Sequence, residues 1–185
     1  MPDRDTLIEL ARYCAFRAQH FRCDVSSNLE LERMASINLD RALGLSSPLT
    51  LPIERPVIAD ARMMRQEWIR TRAGSLLKLD ASSHGDDHFY PGPTDIAWDL
   101  AGAIVEWRLY REASDLLISE YQRSSGDAVQ ERLPAYLIAY CAFGLGFTLS
   151  AAQSGCDASE RGRFHRDAAA YEARLTSLLK RSTAA

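Results

Sequence analysis

Five side chains able to ligate a metal or move a proton crowd into nine positions of the stretch SLLKLDASSHGDDHFYPGPTDIAWDLA, residues 75–101: Asp80, His84, Asp86, Asp87 and His88. Imidazole suits Zn²⁺ and carboxylate suits Mg²⁺ or Mn²⁺, so this loop is a candidate centre for a metal-dependent hydrolase. Its spacing matches neither H-E-x-x-H on a helix nor any thiolate pattern, and Gly85 marks a turn. A hydrated loop beside a site is the simpler reading of the two histidines. Asp80 is different in kind. It follows the apolar run Leu76-Leu-Lys-Leu79, and an acid leaving a strand points its carboxylate out of the core, where it can hold a hard cation or cap the next turn. Asp60 ends a second short apolar run, Val57-Ile-Ala59, twenty positions earlier. Two strand-end acids on neighbouring segments can meet on one side of a sheet. Asp95 and Asp99, four apart, stand where a helix opens and where its dipole favours anions.

The elements that must position these acids follow from periodicity. Thr6-x-x-Glu9 has the form of a capping box, with Leu7, Leu10, Ala11, Cys14, Ala18 and Phe21 on one face. Ser27-x-x-Glu30 opens a second helix whose stripe is Leu31, Met34, Ala35, Leu39, Ala42 and Leu43, ended by Gly44. These form a helical pair over 5–44. Pro48, Pro52 and Pro56 then break the helical period. Glu67–Thr71 and Ser75–Asp80 flank Arg72-Ala-Gly74, which predicts a β-hairpin and the only sheet expected; hairpin and polar loop together span 56–93. Thr94 is the expected N-cap of a helix carrying Ile96, Leu100, Ala103, Ile104 and Trp107 inward. Helices are expected from Ser114 or Asp115 to Gly126, from about Ala128 to Ala152, and from Ala158 to Lys180, completing a helical part over 94–182. Trp98 and Trp107 read as core aromatics. His20 and His165, and the polar residues Asn28, Glu32, Glu160 and Arg161, read as solvated helix faces. The expectation is one domain over 1–185, α+β and predominantly α-helical, with one central β-hairpin.

Composition narrows the function classes. Apolar residues at 46% and charged residues at 25% are ordinary for a globular protein. A net charge of −3 offers no basic footprint for nucleic acid. The most apolar stretch, Tyr136–Ala152, is interrupted by Gly144 and Gly146, so no membrane span is expected. MPDRDTLIEL lacks the basic region and apolar core of a signal peptide. The cysteines Cys14, Cys23, Cys141 and Cys156 form no CxxC pair, which fits reduced thiols and a cytoplasmic setting. No P-loop, Gly-x-Ser-x-Gly, Gly-x-Gly-x-x-Gly or EF-hand pattern occurs.

The segment LLKLDASSHGDDHFYPGPTDIAWDLA resembles the metal-binding segment of aminoglycoside phosphotransferase and choline kinase-like enzymes. In that family an apolar strand ends in a Mg²⁺-binding Asp, a variable loop follows, and a helix opens with Asp-Leu-Ala. The resemblance covers most of the chain, as a kinase-like C-lobe. It implies that Asp80 holds Mg²⁺ bridging the phosphates of ATP, that Asp60 occupies the catalytic-base position, and that Asp99 anchors the catalytic loop. The family's loop reads His-Gly-Asp with Asn five positions later, whereas here Ile58-Ala-Asp60 leads to Arg65. Gln66 or Glu67 would then take the place of the missing cofactor ligand. The Gly-rich loop and the lysine that grip ATP have no counterpart before Asp60, so the resemblance implies a truncated reading frame, a lobe completed by a separate N-lobe-like polypeptide, or a degenerate kinase with a binding role.

Three functions are therefore compared. The first is a phosphotransferase-like lobe acting on a small hydroxylated molecule through a Mg²⁺-nucleotide site, incomplete or inactive alone. The second is a non-catalytic, pseudokinase-like helical module. The third is the hydrolase built on His84, Asp86, Asp87 and His88.

Overall fold

Helix α1 (Arg4–His20) starts one turn earlier than the capping-box pattern indicates. Asp3 is its N-cap and accepts the N–H of Thr6 at 2.8 Å. Thr6 is thereby a helical residue, and Glu9 is released to accept the N–H of Leu76 on the hairpin. The computed structural model describes residues 2–46, 48–79 and 92–182. Asp80 and the loop candidates His84, Asp86, Asp87 and His88 lie outside the described residues.

The remaining elements are α2 (Leu29–Leu43), β1 (Pro56–Val57), a 3-10 turn (Arg65–Glu67), β2 (Trp68–Arg70), β3 (Leu76–Lys78) and β4 (Thr94–Asp95). They are followed by α3 (Ala97–Glu106), α4 (Arg111–Ser125), a 3-10 turn (Val129–Glu131), α5 (Leu133–Gln153) and α6 (Ala158–Ser182). The contacts divide the chain into two compact units, one made of Met1–Asn28 and Pro52–Leu133, the other of Leu29–Leu51 and Pro134–Ala185.

In the first unit α1 packs along α4, and α3 is buried from Ala97 to Val105. A helix apolar on every side is stable only when it is covered on every side. α4 ends at Gly126, whose φ of +71° is the left-handed turn that glycine adopts without a Cβ penalty. The hairpin pairs Trp68 with Lys78, Ile69 with Leu77 and Arg70 with Leu76, antiparallel. A second ladder accompanies it, two residues long: Pro56 pairs with Asp95 and Val57 with Thr94. Thr94 is thus a strand residue rather than the N-cap of α3. Ile96 stands at the N-cap with no side-chain cap bond, and Asp95 just before it accepts the N–H of Ala97 on its Oδ1 at 2.8 Å. Asn28 is buried, its Oδ1 accepting the Thr94 hydroxyl at 2.9 Å, in contrast to the solvated face expected of it.

A buried ion network completes this unit. Arg132 donates to Asp95 at 2.9 Å, to Asp127 at 2.6 Å and to Glu54 at 3.2 Å. Tyr121 donates its hydroxyl to Asp127 at 2.5 Å. The second oxygen of Asp95 accepts the N–H groups of Glu54 and Arg55. Asp95 therefore ties the segment before β1 to the start of α3.

In the second unit Asn38 of α2 donates to the carbonyl of Ala142 on α5 at 3.0 Å. Glu32, read from sequence as solvated, accepts the N–H of Leu51 at 2.7 Å. The two glycines of α5 have packing reasons. A Cβ on Gly144 would lie 2.6 Å from the ring of Tyr171, and one on Gly146 would lie 2.3 Å from the amide of Asn38. A larger residue at either position would have to displace the side chain of Tyr171 or Asn38. Among the described residues α5 is the one helix long and apolar enough to cross a membrane, with 61% of its apolar window buried in the fold. The helix runs unbroken through both glycines, as the expected span to Ala152 has it, and begins at Leu133 rather than near Ala128.

Candidate functional site

The segment from Ile58 to Glu67 is held in place at nearly every peptide. Arg17 of α1 donates to the carbonyl of Ile58 at 2.6 Å. Asp99, in the first turn of α3, accepts the N–H of Asp60 at 2.9 Å and of Ala61 at 3.0 Å. Trp98 donates its indole N–H to the Ala61 carbonyl at 3.4 Å, and Trp107 donates to that of Met63 at 3.0 Å. Both tryptophans are buried, so their only polar atoms serve this loop. Ala61 has φ +68°. A non-glycine residue in that region is strained and persists only where its surroundings over-determine it. Asp99 and the two indoles supply that determination.

Asp60 is 1% exposed. One of its oxygens accepts the Tyr13 hydroxyl. The other lies 3.2 Å from the ammonium of Lys78 and accepts the N–H of Arg62 at 3.4 Å. Lys78 also reaches Glu67 at 3.1 Å, and Glu67 pairs with Arg62 at 2.9 Å. Arg17 stands 3.6 Å from Asp99. Three acids (Asp60, Glu67, Asp99) therefore face three bases (Arg17, Arg62, Lys78). Trp68 lines the cluster, edge-on to Tyr13 and to Trp107, with the Lys78 ammonium 6.0 Å from its ring.

Burial sets the titration of these groups. The carboxyl of Asp99 is pushed up to about 6, first by loss of water and then by the charge of Asp60, against the pull of Arg17 and two backbone N–H groups. Burial, then Asp60, raises the Tyr13 phenol well above its ordinary range, so Tyr13 is a fixed hydrogen-bond donor. The Cys14 thiol is raised by burial and by Asp99 and Asp60, which leaves it unreactive.

Of the sequence candidates, Asp60, Glu67 and Asp99 come together in this cluster. Gln66 lies on the surface, its amide against the sulfur of Met64. Tyr13, Arg17 and Lys78 were missed by sequence reasoning. The first two sit four apart on one face of α1, but nothing in that spacing tells which acid they meet. Among the described residues no group of three or more His, Cys, Asp or Glu side chains could hold a metal ion. Glu67 is already engaged by two cations, so it does not fit the role of an open metal ligand.

An acid buried at the mouth of α3, a pinned loop and a hairpin leading away from it form a recognisable frame. The chain is similar in structure to choline kinase LicA from Streptococcus pneumoniae, with a TM-score of 0.57 at 15% identity over 92% of this chain. The fold is kinase-like. A structure of LicA in complex with AMP is similar too, with a TM-score of 0.50 at 16% identity and the same coverage. This chain spans 64% and 61% of those two chains, less than two thirds of their length. No protein-family model and no curated protein sequence matches it.

Proposed function

We propose that the chain is a phosphotransferase-like, small-molecule kinase-like lobe that binds a nucleotide's phosphates and does not transfer them by itself. The observation that carries this reading is the double N–H grip of Asp99 on Asp60 and Ala61, which fixes one loop conformation within a kinase-like fold. Phosphoryl transfer depends on positioning and charge neutralisation, so a loop held this rigidly suits it. In this reading Mg²⁺ and ATP enter through Asp80, and the acceptor is a small hydroxylated molecule.

Asp60, however, is poorly placed to act as a base. A general base needs a lone pair within reach of the acceptor's proton, and both oxygens of Asp60 are engaged inside the protein. A second register supports the same view. Setting Asp60-Ala-Arg62 on the family's His-Gly-Asp brings Glu67 onto the Asn five positions later. The position of the catalytic acid then falls on Arg62, whose side chain is 31% exposed. The residue that looks outward is thus a cation. The outer face of the hairpin carries the cross-strand pair Ile69 and Leu77, together with Leu79, all more than 40% exposed. A planar base or a separate N-lobe-like polypeptide would rest on that face.

Assay of ATP consumption by the full chain with Mg²⁺ tests this reading. Wild type and Asp60→Asn should both stay at the blank rate. Turnover by wild type that disappears in Asp60→Asn would make Asp60 the base and overturn the reading.

A further inference from the structure

The ammonium of Lys78 is surrounded as a metal ion would be. It lies 3.2 Å from an oxygen of Asp60, 3.1 Å from an oxygen of Glu67 and 3.1 Å from the carbonyl oxygen of Leu79. The ammonium donates to Glu67 and to the Leu79 carbonyl, and the oxygen of Asp60 stands beside it at ion-pair distance. Its side chain is 2% exposed, so this is an interior cation rather than a surface pair. Two carboxylate oxygens and one backbone carbonyl are the hard donors that Mg²⁺, Mn²⁺ and Ca²⁺ prefer. Among the described residues the surrounding charges are balanced only with Lys78 in place, since Arg62 and Arg17 are matched by Glu67 and Asp99.

We propose that Lys78 is a built-in cation occupying a divalent-metal position formed by Asp60, Glu67 and the Leu79 carbonyl. A divalent ion entering beside Lys78 would meet no uncompensated negative charge among the described residues. Without the lysine, one buried carboxylate is left over and the three oxygens converge on an empty place. Closing from ammonium distances to metal–oxygen distances of roughly 2.1–2.4 Å needs inward movement of about 1 Å, within the reach of side-chain carboxylates. The wild-type protein therefore holds no exchangeable ion at this position. Any ion that accompanies a nucleotide is bound elsewhere, at Asp80 in the reading above. The inference rests on Lys78 and its three oxygens alone and stands whether or not nucleotide binds.

Titration of Mn²⁺ onto the full chain, followed by calorimetry and by the thermal midpoint, tests it. Lys78→Ala should bind one more equivalent of Mn²⁺ than wild type. Its midpoint should rise by roughly 5 °C or more at a hundredfold excess over Kd. Adding Glu67→Gln to that variant should abolish both effects. Lys78→Met, which keeps the bulk of the stem, should gain no ion. If Lys78→Ala is unfolded in chelator, Mn²⁺ at about 10 mM should refold it. The proposal is overturned if folded Lys78→Ala gains no ion. It is also overturned if Mn²⁺ fails to refold that variant, or if Glu67→Gln weakens Mn²⁺ binding in the wild-type background.

Discussion

Arg132→Met lowers stability in urea by about 3–5 kcal/mol, the largest loss expected of any single charge in the protein. The guanidinium is 1% exposed and fans onto three acids, of which Asp95 is fully buried and Asp127 nearly so. Removing it strands two carboxylates in the interior, which costs far more than the pair contributed, because desolvation of the remaining charge is no longer offset. The pull of Asp127 and Asp95 outweighs burial and raises the guanidinium's own pKa, so it stays charged at any pH where the protein folds. Arg132→Lys recovers less than half of the loss, since one ammonium cannot fork to Asp95 and Asp127 together. Because Asp95 also binds the N–H groups of Glu54, Arg55 and Ala97, the damage spreads to β1 and to the start of α3. Hydrogen exchange at those three amides should quicken in Arg132→Met; unchanged protection there would limit the role of Arg132 to simple charge balance.

The second large effect is a dependence on pH. Asp99 holds its proton in the folded protein up to about 6, against 3.8 for an ordinary aspartate. Below both values the carboxyl is protonated in folded and unfolded chains alike, and its contribution to stability is fully present. As pH rises through the window between them, the unfolded chain releases the proton first. Folding then becomes less favourable, by ~3 kcal/mol at about 1.4 kcal/mol per pH unit. Above about 6 the penalty is constant. Asp99→Asn removes this slope. A carboxamide also offers an N–H to one of the amides of Asp60 and Ala61, where the acid offered an oxygen, and that mispairing costs about 1–3 kcal/mol at low pH. The difference between wild type and Asp99→Asn, from urea midpoints taken between pH 3.5 and pH 7, should therefore shrink as pH rises. A difference that widens across that range would contradict the assignment.

Local signals made the helices legible. The apolar period found α1, α2, α4 and α6 to within a turn, and glycines with positive φ close α2 and α4 at Gly44 and Gly126. The hairpin was legible in the same way, from two apolar runs around Arg72-Ala-Gly74. The β1–β4 ladder was not. Two residues carry no period, and the strand partner of Val57 lies beyond the whole polar loop. Thr94 looked like a cap because caps and strand ends draw on the same small polar residues. In the site, Asp60 and Asp99 stood out as acids at a strand end and a helix start. Their surroundings did not stand out. Tyr13 and Asp60 are 47 positions apart, and Arg132 and Asp95 are 37 apart, so no spacing rule joins them. Buried lysines and arginines read from sequence as surface residues, because a charge is interior only when a distant partner makes it so.

Nucleotide binding is the property that decides the proposed function. Calorimetric titration of Mg²⁺-ATP into the full chain, wild type and Asp80→Asn, measures it most directly. Wild type should bind saturably, and Asp80→Asn should bind at least tenfold more weakly. No binding by wild type at any Mg²⁺ concentration, or equal binding by both chains, would contradict the proposed function.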